Sequence, residues 1–177
     1  MPRDHQTATG AVWYEKVDTK QMRLRVAEDF WFYCSWTKGA SKTVDCVALP
    51  AANGQLQLFP STARDYFYET LGSSMRSSAA SLSEDPLIVD FSRFYAVGRS
   101  IKITHEPEYS RCSIALSADL VAAGFGPSRG EDAVVFALGE IVEIWSLVQW
   151  QKWLREIAPK LNDLQQKVIE SIKERSV

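Results

Sequence analysis

The chain has 177 residues, 46% of them hydrophobic, and a formal net charge of −2 at pH 7. This length is enough for one ordinary domain or for two compact half-domains that share a core. The slightly acidic balance does not indicate nucleic-acid binding through overall charge, so any contact with DNA would depend on a local basic patch.

Neither secretion nor membrane insertion is predicted. The first ten residues are polar, and no later segment approaches the roughly 20 apolar residues that a membrane-spanning helix needs. Cys34, Cys46 and Cys112 form an odd set without a Cys-x-x-Cys spacing, which argues against a disulfide framework or a zinc site. We therefore expect a cytoplasmic protein without a metal ion, a cofactor or a small-molecule substrate.

The first half of the chain is predicted to contain four strands, a short helical step and a closing helix. These segments are, in chain order, strands over Ala11–Val17 and Arg23–Ala27, a helical step over Glu28–Tyr33, strands over Lys42–Leu49 and Gln55–Phe59, and a helix over Ser61–Leu71. Between the last two strands, Asn53-Gly54 is the strongest local signal for a hairpin turn.

The second half repeats this order. A Ser- and Ala-rich stretch at 72–84 indicates a linker, and 85–97 is predicted to be a helix opened by Pro86. The repeated segments are strands over Ser100–Thr104 and Arg111–Leu116, a helical step over Ser117–Ala123, strands over Ala133–Leu138 and Ile141–Trp145, and a helix over Leu147–Ile157.

Matching positions in the two halves are separated by nearly constant offsets. The matching pairs are Asp18 and Glu106 at 88 residues, Arg23 and Arg111 at 88, and Leu56 and Val142 at 86. Offsets that stay constant across separate features indicate a tandem duplication. The predicted fold is therefore α+β and β-rich, with repeated units over 11–71 and 85–158 and a helical tail over 159–177.

The tail carries apolar residues at heptad spacing. They are Leu154, Ile157, Leu161, Leu164 and Val168. Pro159 is expected to kink or restart this helix, because proline lacks the amide proton of a helical hydrogen bond. The seam fits packing on the same chain as well as packing against a neighbouring subunit, and the sequence leaves both open.

Several of these segments combine features that occur together in one family. The segments are 17–24, 58–60, 84–98, 130–139 and 142–146 with Trp150. They contain an acidic turn before an arginine, an aromatic-proline step, a connecting helix, a hydrophobic strand with a glycine hairpin, and a Glu-Ile-Trp-Ser run. In this combination the chain from Ala11 to Leu161 resembles the MraZ family.

The resemblance implies a pair of AbrB-like swapped-hairpin units in each chain, assembled into rings of subunits. It also implies a transcription regulator that associates with the nucleoid and binds repeats in the promoter ahead of the division and cell-wall genes. In that family an Asp-x-x-x-Arg motif in each half contacts DNA. This sequence departs from the motif: four residues separate acid from arginine in both copies, and one alignment leaves Ser113 at the second arginine position.

The candidate DNA-binding residues are the carboxylates and cations of the two turns. They are Asp18, Lys20, Arg23, Arg25, Glu106 and Arg111. The planar arginine fork can bind phosphate or a guanine edge, and a nearby carboxylate can hold it in one rotamer. Asp18 with Arg23 is predicted to be the better-kept pair. The alternative is an ordinary solvated turn with a surface ion pair.

No catalytic residue is predicted. His105 lies beside Glu106 without a nearby Ser or Cys signature and is interpreted as a turn residue. The aromatic residues Trp13, Trp31, Phe32, Tyr33 and Trp36 are interpreted as core or subunit interface, and Trp145, Trp150 and Trp153 as core. Two hypotheses follow: a DNA-binding regulator of the MraZ type, or an oligomeric scaffold of that fold that has lost sequence-specific DNA binding.

Overall fold

The structure, a computed structural model, describes residues 11–37, 39–62 and 98–175. Its strands and helices are β1 (Ala11–Lys16), β2 (Arg23–Ala27), α1 (Asp29–Tyr33), β3 (Thr43–Pro50), β4 (Leu56–Pro60), β5 (Arg99–Glu106), β6 (Arg111–Ala115), α2 (Ala118–Ala122), β7 (Asp132–Leu138), β8 (Ile141–Ser146) and α3 (Leu147–Arg175). A 3-10 turn at Pro107–Tyr109 joins β5 to β6.

The predicted fold class and the predicted strands are confirmed. No predicted strand boundary differs from the observed one by more than two residues, and β2 has the predicted bounds. The helix predicted over 61–71 is described only at Ser61 and Thr62, which are helical. The predicted linker at 72–84 and the helix at 85–97 lie outside the described residues.

One local prediction is wrong. His105 lies in β5 rather than in a turn, because the ladder between β5 and β6 continues to Glu106. Of the two outcomes expected at Pro159, the helix does not restart, since α3 is continuous from Leu147 to Arg175, and a kink stays a prediction. The loss of one amide donor is tolerated here because Ala158, Lys160 and Leu161 on either side are good helix formers.

The strands form one antiparallel sheet that nearly closes on itself. The strand order is β1-β7-β8-β4-β3-β5-β6-β2, and every hydrogen-bonded neighbour is antiparallel. The two end strands, β1 and β2, also contact each other. The sheet is therefore close to an eight-stranded barrel, with few exposed strand edges.

The two halves of the chain exchange strands. β1 of the first half pairs with β7 of the second, and β5 of the second half pairs with β3 of the first. Arg25 lies directly opposite Ser113, and Gln57 lies directly opposite Glu143. These pairs have the offsets of 88 and 86 found in the sequence, so each lies on a pseudo-two-fold axis that relates the halves. The predicted swapped-hairpin arrangement is thus present.

The core fills the interior of the barrel from both halves. Alternation along each strand sends every second side chain inward, and these inward positions carry Leu, Ile, Val and aromatic residues. The largest fully buried side chains of this core include Leu24, Phe30, Leu56, Leu58, Ile103, Ile114 and Ile144. Because the inward residues come from exchanged strands, neither half can bury its apolar surface without the other.

A second apolar cluster lies between the sheet and the first turns of α3. Trp145 and Trp150 are buried there, and Trp153 packs against them from a partly buried position. The ring centroids of Trp145 and Trp150 are 5.5 Å apart in an edge-on arrangement, and those of Trp150 and Trp153 are stacked at 5.2 Å. The predicted core positions of Trp145 and Trp150 are confirmed.

The aromatic residues near α1 divide into two groups. Trp13 and Trp31 are buried, as predicted. Phe32 and Tyr33 are 60% and 43% exposed, so they do not belong to the core of one chain, and their place at a subunit interface stays a prediction. A five-residue helix packs only one side on the barrel, which leaves its last residues at the surface. Within the described ranges, no helix is long and apolar enough to span a membrane.

Candidate nucleic-acid interface

Strand β2 presents two arginine side chains on the outer surface of the barrel. Leu24 and Val26 are buried in the core, so the alternation of the strand places Arg23 and Arg25 on the opposite, outward face. The Arg25 side chain is 42% exposed. This strand therefore combines a core-forming face with a cationic outer face.

Strand β6 completes the same surface from the second half of the chain. Cys112 and Ile114 are buried, which places Arg111 and Ser113 on the outward face beside β2. The register sets Arg25 opposite Ser113 at the pseudo-two-fold axis, with Arg23 and Arg111 one step away on either side. We call this outward face of β2 and β6 the arginine ladder.

Asp18 holds Arg25 from the turn between β1 and β2. Its Oδ2 lies 2.9 Å from Arg25 Nη1, and its Oδ1 accepts hydrogen bonds from the backbone amides of Lys20 at 2.7 Å and Gln21 at 3.0 Å. The amides of Gln21 and Lys20, followed by the charge of Arg25, hold the pKa of Asp18 below its usual range. The carboxylate therefore stays charged and restrains the guanidinium of Arg25.

The predicted pair of Asp18 with Arg23 is wrong. The Asp18 amide donates to the Arg23 carbonyl at 3.0 Å, so these two residues are joined by their backbones, but the carboxylate binds Arg25. The turn amides already occupy Oδ1 of Asp18. Its Oδ2 is reached by the long side chain of Arg25, which lies diagonally across from Asp18, two residues beyond Arg23 along β2. Among the described residues, Arg23 makes no ion pair and its guanidinium remains available.

The corresponding pair in the second half takes the predicted form. Arg111 Nε donates to Glu106 Oε2 at 2.7 Å, directly across the β5–β6 ladder. The Arg111 guanidinium also lies 4.6 Å from the centre of the Tyr109 ring. Arg111 is thus restrained on two sides, by a carboxylate and by an aromatic face.

Lys20, the remaining predicted site residue, is exposed in the turn between β1 and β2. It makes no ion pair with the residues that the structure describes. The turn carries Asp18, Lys20 and, at its end, Arg23, so the fold brings together the first-half members of the predicted set. The second-half members, Glu106 and Arg111, join them across the β2–β6 pairing.

A partly buried contact beside this surface was missed by sequence reasoning. His105 Nε2 and Glu28 Oε1 are 2.7 Å apart, and the His105 ring stacks on Trp31 with a centroid distance of 5.0 Å. The contact joins the start of α1 to the end of β5, immediately beside Glu106. No local pattern marks it, because 77 residues separate His105 from Glu28.

The nearest thiol to this contact lacks the character of a nucleophile. Cys112 lies opposite His105 in the β5–β6 ladder, but burial raises the pKa of its thiol to about 12. The thiol therefore stays protonated at neutral pH. Within the described ranges, no cluster of three His, Cys, Asp or Glu side chains is placed to hold a metal ion.

Comparison with known proteins assigns no family to this chain. No protein-family model matches it, and no curated protein matches it either. Function is therefore inferred from features of this chain itself. These are the strand exchange, the arginine ladder, and the carboxylates that restrain two of the three guanidinium groups of the ladder.

Proposed function

We propose that the protein is a transcription regulator of the MraZ type that binds promoter DNA through the arginine ladder. The observation that carries this proposal is the placement of Arg23, Arg25 and Arg111 on the outward face of two adjacent antiparallel strands of the sheet, β2 and β6. Arginine side chains that project from such a surface into the major groove of B-DNA can bind the O6 and N7 atoms of guanine through two parallel hydrogen bonds.

The carboxylates beside the ladder support this function. Asp18 restrains Arg25, and Glu106 restrains Arg111. An arginine that is already held in one rotamer loses less conformational entropy when it binds a base or a phosphate. Arg23 and Lys20 have no such partner among the described residues, which suits contacts to phosphate, where the demand on geometry is smaller.

The proposal includes assembly into a ring-shaped homo-oligomer. A single chain offers few cations and has a net charge of −2, so one subunit would bind DNA weakly. Several arginine ladders in one ring would engage neighbouring promoter repeats together and gain affinity through multivalency. In this form the protein would act in the cytoplasm, associated with the nucleoid, at repeats ahead of division and cell-wall genes.

A second candidate is an oligomeric scaffold of the same fold that has lost sequence-specific DNA binding. It is favoured by exposed apolar side chains on the outer face of the sheet. Val12 and Tyr14 lie on one face of β1 and are 39% and 65% exposed. Exposed apolar side chains that lie together are typical of protein–protein contacts. They belong to a different strand from the arginine ladder, so the two surfaces can be tested by separate substitutions.

The test is binding of the purified full chain to duplex DNA from upstream of its own gene, beside a scrambled duplex, at low and raised salt. We expect selective binding that weakens steeply with salt. Arg25→Ala is expected to reduce affinity for the upstream DNA about 10-fold to 100-fold, the cost of losing one bidentate base contact.

Arg155→Ala is the matched control. Arg155 is exposed on α3, which packs on β7 and β8 rather than on β2 and β6, so its removal should leave DNA affinity unchanged. Binding that is absent, or that does not distinguish the two duplexes or the Arg25 variant, would favour the scaffold.

A further inference from the structure

Helix α3 extends well beyond the barrel on which it begins. Its first turns pack on β7 and β8, where Leu147, Trp150 and Trp153 belong to the tryptophan cluster. The helix continues without a break to Arg175. At about 1.5 Å per residue, the part beyond the cluster, which starts at Leu154, is roughly 33 Å long. We call this part, from Leu154 to Arg175, the outer helix.

One apolar seam runs along the first turns of α3 and along the outer helix. Its members follow a heptad spacing: Leu147, Trp150, Leu154, Ile157, Leu161, Leu164 and Val168. Residues seven apart lie on nearly the same side of a helix. The side of α3 that packs on the barrel at its base is therefore the side that carries the seam of the outer helix. Leu154, the first residue of that seam, is 40% exposed.

The opposite side of the outer helix is polar and exposed. It carries Asn162, Asp163 and Gln166, all of them exposed. Pro159 is exposed as well and lies two residues after Ile157, at the heptad position farthest from the seam. A proline there does not interrupt packing along the seam. The outer helix thus has the two faces of one strand of a coiled coil.

The geometry favours a second copy of the same helix, running antiparallel. In a parallel pair, the partner helix would follow the seam to its base and occupy the space that the barrel fills beside Leu147 and Trp150. An antiparallel partner approaches from the free end. When the two outer helices overlap fully, Arg175 of the second copy lies level with Ile157, clear of that barrel.

This antiparallel register also matches apolar residues. At its centre, Leu164 faces Val168 of the second copy. Ile172 falls one place after the next seam position, Ser171, so it does not continue the seam of a single helix. In the antiparallel register Ile172 flanks Ala158 of the second copy, whose small side chain leaves room for it.

The charges at the edges of the seam fit the same register. Lys160 lies beside Glu174 of the second copy, and the symmetry of the pair repeats this contact at the other end. Charges that flank the core of a coiled coil set the orientation of its helices. In a parallel pair, Lys160 would instead lie beside the neutral Gln165. Lys167 meets its own copy at the centre, but it is exposed and solvent screens the repulsion.

We infer that the outer helix binds the outer helix of a second chain as an antiparallel two-stranded coiled coil. This contact is separate from the arginine ladder, which lies on β2 and β6, and it needs no DNA. It goes beyond the proposed function, since it joins two chains, or two of the proposed rings, tail to tail.

The test is disulfide cross-linking of the full chain in the absence of DNA. Chains carrying Leu164→Cys are mixed with chains carrying Val168→Cys, allowed to exchange, and oxidised. The three native cysteines are buried and do not compete. We expect a covalent dimer that contains one chain of each kind, and little dimer from either variant alone.

The matched control mixes Asn162→Cys chains with Gln166→Cys chains. These positions have the same spacing but lie on the exposed side of the helix, so the mixture should give no dimer. Dimers of Leu164→Cys with itself would indicate a parallel pair. No dimer in any mixture would mean that the seam is covered by another part of the same chain. Either result would overturn the inference.

Charge reversal tests the register without altering the seam. Lys160→Glu should raise the chain concentration needed for half-maximal cross-linking about 10-fold, because two attractive pairs become repulsive. Adding Glu174→Lys should restore cross-linking, whereas Arg155→Glu, at an exposed position away from the seam, should change little. Cross-linking that is indifferent to Lys160→Glu would overturn the antiparallel register. Failure to bind DNA would bear on the proposed function alone.

Discussion

The two halves of the barrel follow the same path but differ at their surfaces. Leu24 and Val26 in the first half correspond to Cys112 and Ile114 in the second, and all four are buried. Between these buried residues, the positions that face outward hold Arg25 in the first half and Ser113 in the second. The inward positions must fill one shared interior, whereas the outward positions are constrained only by what they contact. The halves therefore share the pattern of their core and differ on the surface that is proposed to contact DNA.

The halves also differ in how they fix their short helices. Ser117 caps α2 by accepting a hydrogen bond from the Leu120 amide. At the same place before α1, Glu28 makes no such cap and is instead bound to His105 of the second half. One helix start is thus held locally and the other by a contact between halves.

Trp145→Ala is expected to produce the largest loss, about 3–5 kcal/mol in the free energy of unfolding, because it leaves a large cavity in the tryptophan cluster. Trp145 is 2% exposed and contacts Trp150 and Trp153. Its counterpart Phe59, 86 residues earlier, is only partly buried, and Phe59→Ala should cost less. Urea denaturation measures both.

Tyr14→Ala is the control for this comparison, because Tyr14 is 65% exposed and its loss should change the free energy of unfolding by less than about 0.5 kcal/mol. Equal losses for Trp145→Ala and Phe59→Ala would contradict the expectation that the buried Trp145 stabilises the fold more than its partly buried counterpart.

Glu28→Ala should cost about 1–2 kcal/mol, the expected range for a charge-assisted hydrogen bond in a partly buried setting. Its carboxylate lies 2.7 Å from His105 Nε2. The matched change in the other half, Ser117→Ala, should cost less, about 0.5–1 kcal/mol, because that cap spans a long 3.5 Å.

A double-mutant cycle with His105→Ala isolates the contact between halves. If the effects of Glu28→Ala and His105→Ala simply add, the two residues do not stabilise the fold as a pair. A coupling of at least about 0.5 kcal/mol is expected.

The strand framework could be predicted from the sequence because its signals are local. Alternating apolar residues and the turn dipeptide Asn53-Gly54 marked the strands and the first hairpin. The offset of 88 between the halves agrees with the observed register, in which Arg25 faces the residue 88 positions later, but the offset alone does not determine which residue lies on the axis. The predicted site set contained Arg23, Arg25 and Arg111, whereas their placement on one outward face is known only from the structure.

The partners within the site could not be predicted in the same way. Asp18 binds Arg25 rather than Arg23 because of the diagonal reach across a turn, which depends on side-chain length and on amides that occupy one oxygen. The contact of His105 with Glu28 depends on strand exchange between distant segments. Each is a consequence of tertiary structure, which no spacing along the chain encodes.

The smallest expected effect is a dependence of stability on acid pH that comes from Asp18. Its pKa is lower in the folded chain than in the unfolded chain, where Asp titrates near about 3.9. The unfolded state therefore takes up the proton first, so the stabilisation from Asp18 is present above about pH 4 and is lost as the pH falls through the lower folded value. The effect is small because water solvates a carboxylate at the surface.

Asp18→Asn tests this dependence, with Glu106→Gln as the matched variant of the second half. Asparagine can still accept the amides of Lys20 and Gln21 but has no charge for Arg25. Urea denaturation from pH 7 to pH 3 should show wild type more stable than Asp18→Asn at neutral pH, with the gap narrowing below about pH 4 as the wild-type carboxyl is protonated. A gap that stays constant down to pH 3 would mean that the turn owes its stability to shape alone, and that Arg25 is not held by the charge of Asp18.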